Sequence, residues 1–387
     1  MPIMSLCGPP SSGRGAEGVK PLNIIHTEAS PGWGGQEKRI LLETGSLQER
    51  GHRVLVVGQP GSPIGDEAGR AGIPYRSLRM RTGWDPLAFA RLISLIREFR
   101  ADVIHTHSSK DSWLAGVAGR LLGVPVIRTR HVSIPVSAHW LNFAYRLPSR
   151  VMTTADLIRR ALVENGLCDA ASVCVLPTGV DLARFGEDVS GEAFREEFGL
   201  AEGVPAVGLV ANLRQSKGVE HFLAAARIVK EGGAPARFFV VGDGHWRDIF
   251  IEEAEKLGLG DGTVTFTGYR EDIPGIMAGL DILVIASTRT EGMPQVAIQA
   301  MAMALPIVGT DIGGVSESIL PAGSGVVVPP GDPRALAEAV SDLLGDAGRR
   351  ARMGASGRAF VHENHTLEKM LDETERIYNE VLTACAS

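Results

Sequence analysis

The chain is poor in cysteine and contains no long apolar run, and each shortage removes a class of protein. Four cysteines stand in 387 residues, at positions 7, 168, 174 and 385. They are too few for a disulfide scaffold of this length and their spacing fits no zinc pattern, so reduced thiols are expected and a structural metal is not. No stretch approaches the roughly 18 successive apolar residues of a membrane-crossing helix. Residues 1–20, MPIMSLCGPPSSGRGAEGVK, lack the apolar core of a secretion signal. Rich in Gly, Pro and Ser, they read as a disordered tail on a cytoplasmic protein. Catalytic patterns are missing as well: no local motif suggests a Ser-His-Asp or Cys-His arrangement. The glycine loop PGWGGQE also lacks the G-x-G-x-x-G spacing of a dinucleotide-binding turn.

What remains is a globular composition, 44% hydrophobic and 22% charged, in a chain long enough for two domains. Up to residue 184 there are 22 Lys and Arg against 15 Asp and Glu, and beyond it 17 against 30. The basic first half suits an anionic surface or acceptor, or its arginines simply solvate helices. Short apolar runs alternate with helical segments throughout. LNIIHTE, HRVLVVG and the stretches around Val103–His107 and Val124–His131 read as one series of strands. PAVGLVAN, ARFFVVG, GTVTFTG, DILVIAS, LPIVGT and SGVVVPP read as a second. Alternation at this spacing predicts an α/β chain with a parallel sheet in each half.

The stretch Gly268–Glu317 is the most informative. DILVIAS is a buried strand, and the loop Ser287–Gly292 places Glu291 at its carboxyl end, where doubly wound folds bind ligands. Pro294 suits a first helical position and QVAIQAMAMA a helix, whose free amides favour an oxygen-rich or anionic ligand. LPIVGT ends in Asp311, Gly313 and Gly314, a second backbone-exposing turn on the same edge. In the first half, Gly34 and Gly35 open a helix, either to bring amides to a diphosphate or an acceptor or as a plain tight turn. His26, His105, His107 and His131 stand at strand ends. His105 and His107 are expected on opposite faces of one strand, and so not to share a metal ion. His26 and His105 read as structural, and His107 is left open.

EGMPQVAIQAMAMALPIVGTDIGGVSE resembles the signature of glycosyltransferase family 4, retaining enzymes of GT-B fold. The resemblance extends through GWGGQEKRILLETGSLQERGHRV, DVIHTHSSKDSWLAGVAGRLLGVPVIRTRH, LPTGVDLARF and GLVANLRQSKGVEHFLAAA. It implies two Rossmann-like, doubly wound parallel-sheet domains facing a central cleft: an acceptor-side domain over 21–183 and a nucleotide-sugar-binding domain over 184–366. The last helix, within 367–387, would cross back to the first domain.

By the same resemblance, His131, Lys217 and Glu291 carry the catalysis. Lys217 matches the family's phosphate lysine, where a fixed cation meets charge growing on the leaving diphosphate. The usual arginine five residues earlier is Asn212 here; Arg214 replaces it or is merely a solvated side chain. Glu291 would hold sugar hydroxyls, and His131 would hydrogen-bond the sugar or the acceptor. The family's second glutamate, eight residues on, is Gln299, which keeps hydrogen bonds to ribose but forfeits the charge-assisted one. Gly34, Gly35, Gly242, Gly244, Gly292, Met293, Pro294 and Gln295 complete the donor contacts, with Tyr269, Arg270 and Ile273 framing the base.

No obvious nucleophile appears, so the resemblance implies a front-face mechanism in which the departing diphosphate takes the acceptor proton. Nor is a DxD-like pair placed to hold a metal-bound diphosphate, so no metal or other cofactor is expected. The function expected is transfer of a sugar from a nucleotide sugar, UDP ahead of GDP, to a glycan or lipid-linked acceptor in envelope polysaccharide or lipopolysaccharide synthesis. Expected partners are those substrates and an anionic membrane surface at the inner face of the cell membrane, not nucleic acid. The rivals are a nucleotide-sugar 2-epimerase of the same architecture and a non-catalytic nucleotide-sugar-binding relative.

Overall fold

The computed structural model of the protein describes residues 20–133 and 144–386. The proposed tail lies, up to residue 19, outside the described residues. The chain divides into two compact units: residues up to Pro177 together with those from Met370 onward, and Thr178–Lys369.

The first unit is built on seven parallel strands: β1 Asn23–Glu28, β2 Arg53–Gly58, β3 Tyr75–Ser77, β4 Val103–Thr106, β5 Val126–Arg130, β6 Arg150–Thr153 and β7 Val173–Val175. Their order is β3-β2-β1-β4-β5-β6-β7. The sequence reading missed β3, β6 and β7. Each has three or four residues and exists by pairing with a longer neighbour. Helices with well-marked starts pack on the sheet through their apolar faces. Asp85 caps the helix Pro86–Phe99, its carboxylate accepting from the amides of Leu87 and Ala88 at 3.1 Å. Ser108 and Asp111 form a capping box at Ser109–Leu122. Leu92 and Ile96 from the first of these helices join Ile25, Leu55 and Ile104 in the core. Each such side chain, fully buried, contributes about 1.5–3 kcal/mol.

The closing helix, Leu367–Ala386, docks on the first unit from Met370 onward. Arg50 ties it down through Asp372 at 2.7 Å and Glu375 at 2.9 Å. His52 reaches the same Glu375 at 2.9 Å, and Tyr378 is wholly buried.

The second unit holds six parallel strands: β8 Ala206–Val210, β9 Arg237–Val241, β10 Val264–Gly268, β11 Ile282–Ile285, β12 Ile307–Thr310 and β13 Gly325–Val328. Their order is β10-β9-β8-β11-β12-β13. Both faces are covered. Phe238 and Val240 belong to one apolar cluster, Phe239 and Val241 to another, as a two-residue side-chain period requires. This explains why these strands read as continuous apolar runs. The order reverses between β8 and β11, and at such a reversal, beyond the carboxyl ends of the strands, doubly wound sheets bind their ligands.

Candidate active site

The loop leaving β8 and the loop leaving β11 run side by side, joined where the Thr288 amide donates to the Ser216 carbonyl at 3.0 Å. They can approach so closely because Gly218 has φ +65° and no side chain; a Cβ there would lie 1.9 Å from the Ala286 carbonyl oxygen. The approach brings Lys217 Nζ into an ion pair with Glu291 Oε1. Ser287 Oγ donates to the same carboxylate oxygen at 2.6 Å. The loop after β12 closes the group: the Gly314 amide donates to the Gly292 carbonyl at 3.1 Å, and a Cβ on Gly313 would fall 2.1 Å from the Glu291 carbonyl oxygen. Glu291 is only 8% exposed. A carboxylate so buried needs partners, and Lys217 and Ser287 are the ones it has. Three strand ends thus converge on one carboxylate with a cation paired to it.

The helix after Glu291 runs Gln295–Ala302, shorter than the expected ten residues. Pro294 is not its first residue, as the sequence suggested. It is the extended capping residue before it, with ψ 124°, because the chain must still turn out of the Glu291 loop. Gln295 and Gln299 are four residues apart on one face of this helix, both partly buried. Met293 and Pro294 are buried beside them.

Other predicted donor residues lie around this group. Asn212 and Arg214 are exposed on the loop leaving β8, where Arg214 Nε donates to Asn212 Oδ1 at 3.2 Å. The Gly242–Gly244 turn after β9 is held to the same loop by the Leu213 amide, which donates to the Asp243 carbonyl at 2.9 Å. Tyr269, after β10, is 52% exposed. Arg270 is joined instead to Glu197 at 2.5 and 2.8 Å and to Asp272 at 2.7 and 2.8 Å. Its guanidinium is thereby committed to bracing the loop before the helix that Ile273 opens.

In the first unit, Gly34 caps the helix Gly35–Glu49 in an extended conformation open to any residue. A Cβ there would make only an ordinary contact, 3.6 Å from Glu37. The chain's own packing therefore does not require glycine at this position. The four histidines form a cluster, which corrects the expectation for His105 and His107. Residues two apart on a strand share a face, and their rings stand 4.4 Å apart between centroids. The ligand atoms of His26, His105 and His107 lie within 4.8 Å of one another. Burial pushes His26 down to about 3 and holds His105, His107 and His131 well below the usual imidazole value.

The sequence reading also missed the acids of this unit. Glu28 ends β1 and is raised to about 8 by burial and then by the Asp111 charge, while the Ser30 amide and Gln36 bond its oxygens. Asp111 accepts from Thr27 Oγ1 at 2.9 Å and from the His107 amide at 3.0 Å. Glu43, raised to about 7 by burial, lies 3.5 Å from His105 Nδ1. A signal for Glu28 was present, since a carboxylate closing an apolar strand beside a glycine loop sits where such folds bind ligands. No local signal marked Tyr378, whose hydroxyl reaches His105 across 273 residues of chain.

A family model described as Glycosyltransferase Family 4 matches residues 33–184, and one described as Glycosyl transferases group 1 matches residues 204–346. The 2-deoxystreptamine N-acetyl-D-glucosaminyltransferase of Streptomyces fradiae is 31% identical over 362 residues, covering 84% of this chain and 85% of the relative. The chain belongs to glycosyltransferase family 4. The UDP-Gal:alpha-D-GlcNAc-diphosphoundecaprenol alpha-1,3-galactosyltransferase of Escherichia coli is 25% identical to this glycosyltransferase over 312 residues, 76% of this chain and 80% of that one. Among solved structures, Anabaena HepE in complex with UDP superimposes with a TM-score of 0.80 at 20% identity, over 92% of this chain and 99% of that one. The likeness to HepE is one of fold, and the glycosyltransferase has the GT-B architecture of two doubly wound α/β domains.

Proposed function

We propose that this glycosyltransferase moves a hexose, with retention, from a nucleoside diphosphate donor held mainly by residues 178–369. UDP is the first carrier to test and GDP the second. The observation that carries the reading is the convergence of Lys217, Glu291 and Ser287 at the strand-order reversal of the second unit. A buried carboxylate suits sugar hydroxyls, and the lysine beside it suits the leaving phosphate. As the bond from the anomeric carbon to the diphosphate breaks, negative charge grows on the departing oxygen, which Lys217 stabilises more in the transition state than before it. The acceptor oxygen attacks the same face and passes its proton to that departing oxygen, so no protein nucleophile or metal ion is required.

Gln295 and Gln299 would meet the ribose from their shared helix face. The Tyr269–Ile273 loop would meet the base through its backbone, since Arg270 is engaged elsewhere. Gly34, which the fold leaves free to be any residue, would admit a close ligand approach to the helix start it caps. His131 would hydrogen-bond the sugar or acceptor. The names of the relatives include both carriers, UDP in one and GDP in others, and two kinds of acceptor, a lipid-linked glycan in one case and a small aminocyclitol in another. We place a glycan or lipid-linked acceptor of envelope synthesis first.

The test is a thermal-shift screen of UDP- and GDP-sugars, followed by product analysis with and without both acceptor kinds. A true donor at about 100 times its dissociation constant should add about 2.7 kcal/mol of stability. A new nucleotide sugar formed from donor alone would make the protein an epimerase, and donor binding without turnover on any acceptor would make it a non-catalytic binder. No described helix is long and apolar enough to cross a membrane. Docking of the basic half on anionic lipid would show as binding to acidic vesicles that falls steeply with salt. Salt-independent binding, or none, would return its arginines to ordinary solvation.

A further inference from the structure

The histidines of the first unit are links in one hydrogen-bonded chain. Thr129 Oγ1 lies 2.7 Å from His105 Nε2, and His105 Nδ1 lies 2.7 Å from the Tyr378 hydroxyl. That hydroxyl is 3.3 Å from His26 Nε2. His26 Nδ1 is 3.0 Å from His107 Nε2, and His107 Nδ1 is 3.1 Å from His131 Nε2. Every member is buried except His131, which keeps part of its surface open. Both ring nitrogens of His26, His105 and His107 are therefore engaged. An ion among these three would need lone pairs already in use, and seating it would break the link between His26 and His107.

A neutral imidazole has one N–H and one lone pair, and a hydroxyl donates once. In such a chain each member donates at one side and accepts at the other, so all protons point the same way and fixing one fixes the rest. Only two senses exist. In one, His105 carries its proton on Nδ1 and His131 accepts at Nε2, leaving an N–H at His131 Nδ1. In the other, His131 donates from Nε2 and its Nδ1 is bare. The Glu43 carboxylate, 3.5 Å from His105 Nδ1, favours the proton there and hence the first sense. Burial holds Glu43 up to about 7, and Arg39, 4.0 Å away, pulls against it, so the carboxylate is ionised and exerts this bias above that pH.

We propose that this chain, biased by Glu43 and completed by Tyr378 from the closing helix, sets the tautomer of His131, so that His131 Nδ1 is presented as a hydrogen-bond donor to the substrate. Tyr378, His26, His105 and His107 are positioning residues; only His131 meets the ligand. That last clause rests on the role given to His131 above, whereas the setting of the tautomer does not.

The experiment uses the full chain with nitrogen-15 in its histidines, at pH 8, where Glu43 is mainly ionised. Long-range proton–nitrogen spectra should show His131 as a single tautomer protonated at Nδ1. Tyr378→Phe removes the central hydroxyl and keeps the ring; it should give mixed tautomers at His26, His107 and His131 with the backbone spectrum retained. Glu43→Gln, which leaves every link in place but removes the bias, should shift His131 toward Nε2–H and serves if Tyr378→Phe does not fold. An unchanged His131 tautomer in the folded variants, or a stoichiometric zinc ion on the purified protein, overturns the proposal. UDP release from UDP-N-acetylglucosamine gives the second readout. Tyr378→Phe should lower kcat about 3- to 10-fold, the size of one hydrogen bond, and should cost nothing further in a His131→Ala background. Additive losses would overturn the coupling. If His131→Ala leaves turnover intact while the spectra behave as stated, the role of His131 fails and the tautomer coupling stands.

Discussion

At the scale of single residues, Lys217 and Gln299 are expected to fail in different ways. Lys217 balances a buried carboxylate, and on the proposed role at the leaving diphosphate Lys217→Ala should lower turnover by about 100-fold or more. Gln299 is partly buried on its helix, and the proposed ribose contact would be a neutral hydrogen bond made equally before and during reaction. Gln299→Ala should therefore raise the apparent KM for the donor by a factor equivalent to about 0.5–1.5 kcal/mol and spare kcat. Steady-state kinetics on folded variants separates the two. Near-normal turnover in Lys217→Ala would remove the lysine from the chemistry, and a collapse of kcat in Gln299→Ala would remove the glutamine from a ribose-only role. Lys217 and Glu291 were both visible in the sequence as candidates. Their pairing was not, because 74 residues separate them and only the adjacency of β8 and β11 brings them together.

Among the elements, the turn at Gly218 carries the site. An L-residue at its φ of +65° costs about 1–2 kcal/mol, and its Cβ would collide with the backbone of Ala286. Gly218→Ala should push the two loops apart, so that both stability and turnover fall. Gly61 has a similar φ of +68° with nothing within 4 Å of the would-be Cβ. Gly61→Ala should lose only the conformational part and keep its turnover. Thermal unfolding and UDP release measured on both variants test the comparison, and equal behaviour of the two would show that loop contact at Gly218 does not position Lys217. The loop and helix around Glu291 were legible because strand, polar loop and helix follow one another locally. The extended Pro294 was not, since its ψ is set by the path out of the loop rather than by proline's own fixed φ.

For the whole molecule, buried titratable groups predict how stability follows pH. His26 and His365 are lowered from 6.5 to about 3 and about 4 by burial, and His105, His107 and His131 are lowered too. Groups lowered in this way contribute stability above pH 6.5 that is lost as the pH falls, because the unfolded chain takes up protons the folded one refuses. Glu43 and Glu28 are raised from 4.5 to about 7 and about 8, mainly by burial. Their contribution is full below pH 4.5 and is lost as the pH rises through 7 and 8. Burial raises Asp111 as well; between pH 4.5 and 6.5 the five histidines still outnumber these three acids, so the thermal midpoint should rise with pH, and above pH 7 only the acids act and it should fall. A midpoint that climbs steadily from pH 7 to 8.5 would contradict the burial of Glu28 and Glu43 as neutral groups.

The sequence alone determined the α/β class, the family, and the ends of strands at which the candidate site residues stand, because these depend on local periodicity and on motifs read within a few turns of chain. It also marked His26, His105, His107 and His131 individually. Only the tertiary structure decided how they connect: sheet order set Lys217 against Glu291, and the closing helix delivered Tyr378 to a histidine chain begun some 350 residues earlier, between positions 26 and 378. Partners so far apart in sequence are chosen by strand order and helix docking, and neither the spacing nor the composition of the chain encodes that choice locally.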